Sequence, residues 1–144
     1  MNSQSRAARI WAIVAEPKTV TVIMAVIYAA LFMAGLAAWD GAPTAVAATV
    51  GEPLSTIWAV TLIVAGVCGV AGAIPGWYWL EKGGIIGGFF TSLTYMLSLI
   101  SQSHLYPATD YRPQAALLLV VALMFIIRWE RVKGLTVDPT RQKL

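Results

Sequence analysis

The sequence predicts an all-α fold: a polytopic membrane protein with four transmembrane helices and a short amphipathic, interfacial helix at its N-terminus. The first reason is composition, because 58% of the 144 residues are hydrophobic and 12% are charged, against about a quarter charged in soluble proteins. The second is four apolar stretches, each near the roughly 17 to 25 residues with which an α-helix crosses a bilayer. The third is charge asymmetry, since all of the ten Lys and Arg residues except Arg112 would lie on one side of that bilayer.

The chain is expected to have three parts. A cytoplasmic amphipathic segment (1–18) precedes a four-helix transmembrane bundle (19–129), and a cytoplasmic basic tail (130–144) follows. The predicted spans cover about 19–39, 54–74, 83–101 and 114–129. The sequence shows no repeat and no Ser/Gly-rich linker, so one bundle is expected.

The N-terminal amphipathic helix is predicted over residues 5–16. Ile10 and Trp11 lie beside Arg6 and Arg9 in this segment, so one face would enter the inner leaflet while the basic residues meet anionic headgroups. A cleaved secretory signal is the alternative. The apolar run that follows is longer than the roughly 7 to 15 residues of a signal core, which favours a retained span.

The connections differ in character. The first, around Asp40 to Pro43, is short and nearly uncharged, and Pro53 is suited to the first turn of the second span. The second, at 75–84, combines aromatic residues with Gly and Pro and predicts an interfacial turn whose Glu81 and Lys82 face the cytoplasm. The third, at 102–113, is expected outside.

Orientation follows from the positive-inside rule. The basic residues cluster before the first span, in the second connection and after the fourth span. The other side carries Asp40, Glu52 and Asp110 against Arg112. Both termini are therefore predicted to be cytoplasmic.

Tryptophan placement agrees with this topology, because indole rings favour the membrane interface. Trp39 and Trp58 are predicted as outer interfacial anchors. The inner interfacial anchors are predicted to be Trp77, Trp79, Trp129 and, on the amphipathic helix, Trp11.

Small residues at intervals of four predict close helix packing. They occur on the second and third spans, as Ala65, Gly69, Ala73, Gly84, Gly87 and Gly88. Two interpretations stay open: packing inside one bundle, or a self-association surface for homo-oligomers. The bulky apolar surface of the fourth span is expected to face lipid.

Mildly polar residues concentrate on the third span. Thr91, Tyr95 and Ser98 recur at helical spacing, so they either hydrogen-bond within the bundle or line water as pore-lining residues in an assembly. No ionisable residue lies away from the span ends, and Arg128 is expected to snorkel to the inner interface. A small proton-coupled multidrug transporter, which needs a membrane carboxylate, is therefore disfavoured.

Catalysis is not expected. His104 is the only histidine and Cys68 the only cysteine, so the sequence predicts no metal site, and no cofactor-binding or catalytic motif is present. The dispersed basic residues do not form the clustered face that nucleic-acid binding requires.

Two interfacial elements carry a resemblance. The turn Pro75-Gly76-Trp77-Tyr78-Trp79-Leu80-Glu81 and the tail Arg128-Trp129-Glu130-Arg131 resemble small four-helix membrane proteins of actinobacterial bacteriophages, which are often named holins. The resemblance implies a phage-encoded protein in the bacterial host inner membrane that self-associates and permeabilises it during host cell lysis.

Two other functions remain open. One is a non-lytic membrane adaptor or superinfection-exclusion protein that binds another phage or host membrane protein. The other is a passive channel for small solutes. In every case the expected partners include the lipid bilayer.

Overall fold

The computed structural model describes residues 18–105 and 111–133, and every regular element in these ranges is an α-helix. We number the helices in chain order: α1 Lys18–Asp40, α2 Thr44–Val50, α3 Glu52–Ala73, α4 Tyr78–Leu105 and α5 Arg112–Lys133. The all-α class is confirmed. The predicted amphipathic helix with Trp11, most of the basic tail and the loop at 106–110 lie outside the described residues.

Three helices, α1, α3 and α4, are long and apolar enough to cross a membrane. Large apolar side chains point outward along them, including Val26 and Met33, each more than 60% exposed. Such surfaces are unfavourable in water and suit a lipid solvent. The membrane class is therefore supported by three helices, whereas the crossing by α5, the predicted fourth span, stays a prediction.

Consecutive long helices pack against each other in chain order. α1 packs on α3, α3 on α4, and α4 on α5, while the backbones of α1 and α5 lie apart. The starts of α1 and α4 share one end of the bundle with the last turns of α3 and α5. We call this the basic end, because Lys82, Arg128, Arg131 and Lys133 lie there, and the other the opposite end.

α3 and α4 approach most closely through glycine. A Cβ added to Gly84 would lie 2.6 Å from the Cα of Gly69, and one added to Gly87 would lie 2.8 Å from the Cβ of Ala65. Backbones at this separation leave no room for side chains between them, which is the packing that replaces hydrophobic attraction in membranes. The predicted small-residue positions therefore form an interface within the chain.

The first connection is more structured than its composition predicts. Residues 44–50 form α2, whose Ala45 and Val46 are buried against the opposite end of the bundle. α2 ends at Gly51, which adopts a φ of +81° that other residues rarely tolerate. Glu52 and Pro53 then begin α3, so Pro53 occupies the predicted first-turn position.

The predicted interfacial turn at 75–84 is wrong in extent. The turn is short, with Gly76 at a φ of +76° and the Trp77 N–H donating to the Gly72 carbonyl oxygen at 2.8 Å. α4 already begins at Tyr78. Gly83 and Gly84, which suggest a loop, are helical, and α3 lies directly against Gly84. Glu81 consequently belongs to a helix rather than to a loop.

Replacing Gly84 with alanine is expected to lower the free energy of unfolding by about 1–3 kcal/mol. The new Cβ would press on the Gly69 backbone, which cannot yield unless α3 and α4 separate. Thermal unfolding in detergent, followed by circular dichroism, measures the effect.

Gly83→Ala is the matched control, because a Cβ at Gly83 meets no atom within 4 Å. Removing this helical glycine is expected to raise stability by up to about 1 kcal/mol. Equal stabilities of the two variants would contradict the close α3–α4 approach.

Candidate functional site

The most unusual polar feature is a buried ion pair at the basic end. Arg128 on α5 donates from Nε to Glu81 Oε1 at 2.7 Å and from Nη2 to Glu81 Oε2 at 2.9 Å. Glu81 is fully buried and Arg128 is 8% exposed. A parallel, two-bond arrangement of this kind fixes both distance and orientation.

Local packing explains why the carboxylate is buried. Glu81 lies in the first turn of α4, directly against Gly72 of α3, where any side chain would overlap the Glu81 backbone. The free N–H groups of a first turn also favour a negative charge. On α5, Arg128 follows the buried Phe125 by one turn, so both face the bundle interior.

This geometry corrects two expectations. Glu81 does not face the cytoplasm, and Arg128 does not snorkel outward, because each neutralises the other inside the bundle. The sequence does contain a signal for this pair. Glu81 and Arg128 carry opposite charges and lie at the ends of two neighbouring spans that face the same side of the membrane. An isolated charge in hydrocarbon is costly, so such a pair is expected to meet.

Tyr28 of α1 completes the core at this end. Its side chain is fully buried, its ring centroid lies 6.0 Å from that of Phe125, and its hydroxyl has no hydrogen-bond partner among the described residues. The ring occupies the space that Gly69 leaves open, since a Cβ there would overlap it. Tyr28 and Phe125 thus join α1 to α5 although their backbones lie apart.

The other predicted packing residues also face inward. Ala65 and Ala73 are 2% and 1% exposed, and a Cβ on Gly88 would lie 2.6 Å from the Phe125 ring. These residues are occupied by contacts within one chain. A role for them in homo-oligomers stays a prediction.

The predicted polar stripe is largely satisfied by its own helix. The Thr91 hydroxyl donates to the Gly87 carbonyl oxygen at 2.8 Å, and the Ser98 hydroxyl donates to that of Thr94 at 2.9 Å. Tyr95 packs edge-on against Trp58, with ring centroids 5.7 Å apart. Whether this stripe meets water stays a prediction.

Part of the stripe borders a groove at the opposite end, which we call the opposite-end groove. It has a volume of about 400 Å³ and lies where α1 and α5 diverge. Small residues of α1 form one wall, Leu118 of α5 contributes to the other, and Thr91, Ser92 and Tyr95 of α4 form the floor. The full lining is Leu31, Ala34, Ala37, Ala38, Gly41, Pro43, Trp58, Leu62, Thr91, Ser92, Tyr95 and Leu118.

The tryptophans divide into two groups. Trp39, Trp77 and Trp79 are more than half exposed at the two ends of the bundle, while Trp129 is half-buried against the basic-end core, and the role of these four residues as interfacial anchors stays a prediction. Trp58 departs from the prediction. It is 8% exposed, and its indole N–H donates to the Thr91 carbonyl oxygen at 3.0 Å, which ties α3 to α4.

Within residues 18–105 and 111–133, no three His, Cys, Asp or Glu side chains are placed to hold a metal ion. His104 is exposed near the end of α4. Searches of protein-family models, curated proteins and solved structures found no match to this chain. The resemblance to phage membrane proteins therefore stays a prediction from the sequence.

Glu81→Gln is expected to cost about 3–5 kcal/mol of unfolding free energy, because Arg128 would stay buried without its counter-charge. Replacing both residues with methionine should recover most of this loss, since the two desolvation costs then disappear together. Unfolding of the single and double variants in one detergent measures the coupling.

Glu130→Gln is the control, since Glu130 pairs with Lys133 one turn away at the exposed end of α5. Its loss should cost no more than about 1 kcal/mol. If Glu81→Gln lowered the free energy of unfolding by as little, the Glu81–Arg128 pair would not hold α4 and α5 together as its geometry indicates.

Proposed function

We propose that the protein is a phage-encoded, holin-like integral membrane protein of the bacterial host inner membrane. In this proposal α5 is the fourth span and both termini are cytoplasmic. The support is the position of the charges: Lys82, Arg128, Arg131 and Lys133 share the basic end, whereas Asp40 and Glu52 border the opposite end.

The lesion-forming function is inferred from the polar residues on the floor of the opposite-end groove. Thr91, Ser92 and Tyr95 lie between two helices, α1 and α5, that do not close over them. In an assembly with these grooves facing a common axis, Thr91, Ser92 and Tyr95 would border that axis within an otherwise mostly apolar lining. The remainder of each chain would still present apolar side chains to lipid.

Little of the folded chain must rearrange for such an assembly. α1 is held to α3 where Gly66 contacts Phe32, α3 to α4 at Gly69 and Gly84, and α4 to α5 by the ion pair. The gap between α1 and α5 can therefore widen while these three helix interfaces stay formed. Copies that accumulate to a critical density would then self-associate, open a water-filled lesion and release an endolysin.

A membrane adaptor is the second candidate, and the α1 wall of the same groove favours it. Ala34, Ala37 and Ala38 of α1 are small, as is Gly41 just after the helix, so the backbone of another transmembrane helix can approach closely. In that case the groove binds one helix of a phage or host membrane protein, and no lesion forms.

Induced expression is expected to collapse the membrane potential and, with a co-expressed endolysin, to lyse the cells. The double change Ser92→Ala and Tyr95→Phe should delay both events several-fold without reducing membrane accumulation, because it removes hydroxyls from the groove floor. A potential-sensitive dye and culture turbidity measure the delay.

Thr94→Val is the matched control, because Thr94 is on the same helix but outside the groove lining, with its hydroxyl donating to Phe90. It should lyse on the normal schedule. High expression with an intact membrane potential would refute the lesion-forming function, and one stoichiometric crosslinked partner would favour the adaptor. Selective conductance in liposomes without lysis would instead indicate a passive channel.

Topology is checked with single cysteines in a Cys68→Ser background. Trp39 and Trp79 are 60% and 65% exposed near opposite ends of the bundle. In intact cells, an impermeant maleimide should label Trp39→Cys but not Trp79→Cys until the membrane is opened. The reverse pattern would overturn the proposed orientation.

A further inference from the structure

A second groove lies between α1 and α5 at the basic end, on the far side of the Tyr28–Phe125 contact from the opposite-end groove. Its volume is about 220 Å³, and we call it the basic-end groove. Val20, Ile23 and Met24 of α1 line one side; Met124, Ile127, Arg128 and Arg131 of α5 line the other. Ile23 and Ile127 are about half exposed, so the groove opens to the lipid-facing surface.

The groove changes from apolar to cationic along its length. On α5 the lining begins at Met124, passes Ile127 and reaches Arg131 towards the helix end. This order matches that of a membrane lipid, whose acyl chain lies deeper in the bilayer than its phosphate. Basic pockets between transmembrane helices at the level of the headgroups are suited to anionic lipid.

Charge selects the headgroup. Arg128 is neutralised by Glu81, and Lys133 is paired with Glu130, but no described carboxylate pairs with the exposed Arg131. Among the residues that the structure describes, no Asp or Glu lines the groove, so none of them would pair with the amine of a zwitterionic headgroup. A net positive mouth above an apolar channel fits a phospholipid whose headgroup carries net negative charge.

We propose that the basic-end groove is a binding site for one anionic phospholipid, with an acyl chain between Ile23 and Ile127 and the phosphate at Arg131. Arg128, whose Nη1 atom makes neither of the two bonds to Glu81, also lines this groove. The bound lipid bridges α1 and α5 at a level where their backbones lie apart. This proposal requires only that the bundle is in a membrane and does not depend on lesion formation.

The test is a lipid titration of the purified full-length protein in detergent, read by native mass spectrometry. Phosphatidylglycerol should bind more tightly than phosphatidylcholine with the same acyl chains. Arg131→Gln should weaken phosphatidylglycerol binding about fivefold and leave phosphatidylcholine binding unchanged. Ile23→Trp, which fills the apolar part of a lipid-exposed groove, should weaken binding of both lipids.

Lys82→Gln is the matched control, because it removes one positive charge from the same end of the bundle without touching the groove. It should bind phosphatidylglycerol as the unchanged protein does. Equal affinity for the two lipids, or an equal loss in Lys82→Gln and Arg131→Gln, would overturn the proposal in favour of diffuse surface attraction. Displacement of the lipid by inorganic phosphate would also overturn it, since the site would then recognise a free anion.

Unfolding temperatures in lipid-free detergent distinguish these outcomes from misfolding. Arg131 and Ile23 are exposed, so both variants should unfold at the same temperature as the unchanged protein. If the unchanged protein failed to lyse cells but still bound phosphatidylglycerol more tightly than phosphatidylcholine, the holin-like function would be refuted and the lipid site would stand.

Discussion

A carboxylate buried in a bundle with an apolar outer surface must find its counter-charge within the same chain, because neither lipid nor water is there to solvate it. Glu81 is such a carboxylate, and Arg128 neutralises it through two hydrogen bonds. The desolvation of both ions offsets much of their attraction, so the pair adds little to the net free energy of folding. Its larger effect is to favour one arrangement of the helices over others. The pair helps to align α4 with α5, which also meet where Phe125 packs against Gly88 and where Ala115 packs with Leu99.

The two ends of the bundle are consequently built differently. At the basic end, the ion pair, the Tyr28 ring and the glycine contacts link all four long helices. At the opposite end, α2 and Trp58 close the α3–α4 side, but α1 and α5 diverge over Thr91, Ser92 and Tyr95. An assembly or a partner helix can therefore use the opposite end without breaking the polar contacts that fix the basic end. The Tyr28 hydroxyl has no hydrogen-bond partner among the described residues, so the contacts of its ring with Gly69 and Phe125 are what the Tyr28 side chain contributes there.

The helices could be predicted because apolar length and charge at the span ends are local properties of the sequence. The start of α4 could not, since the Gly- and Pro-rich stretch 75–84 is typical of a turn until α3 is known to pack against it. Small residues predict sites of close packing, but they do not predict which side chains fill those sites: Gly69 accommodates a tyrosine ring from α1, and Gly88 a phenylalanine ring from α5. The ion pair joins residues 47 positions apart, so its formation depends on a helix order that composition does not specify.

The two grooves lie between the same pair of helices, α1 and α5, so a ligand in one groove could affect the shape of the other. The Tyr28–Phe125 contact lies between them and is one of the side-chain contacts that join α1 to α5. A lipid bound in the basic-end groove would draw the adjacent turns of α1 and α5 together, while a helix bound in the opposite-end groove would hold their other ends apart. Both changes pivot on the same contact. If both ligands bind and α1 moves as a rigid helix, binding at one end would change the affinity at the other. The size of that effect would be limited by how differently each ligand binds the two arrangements of α1 and α5.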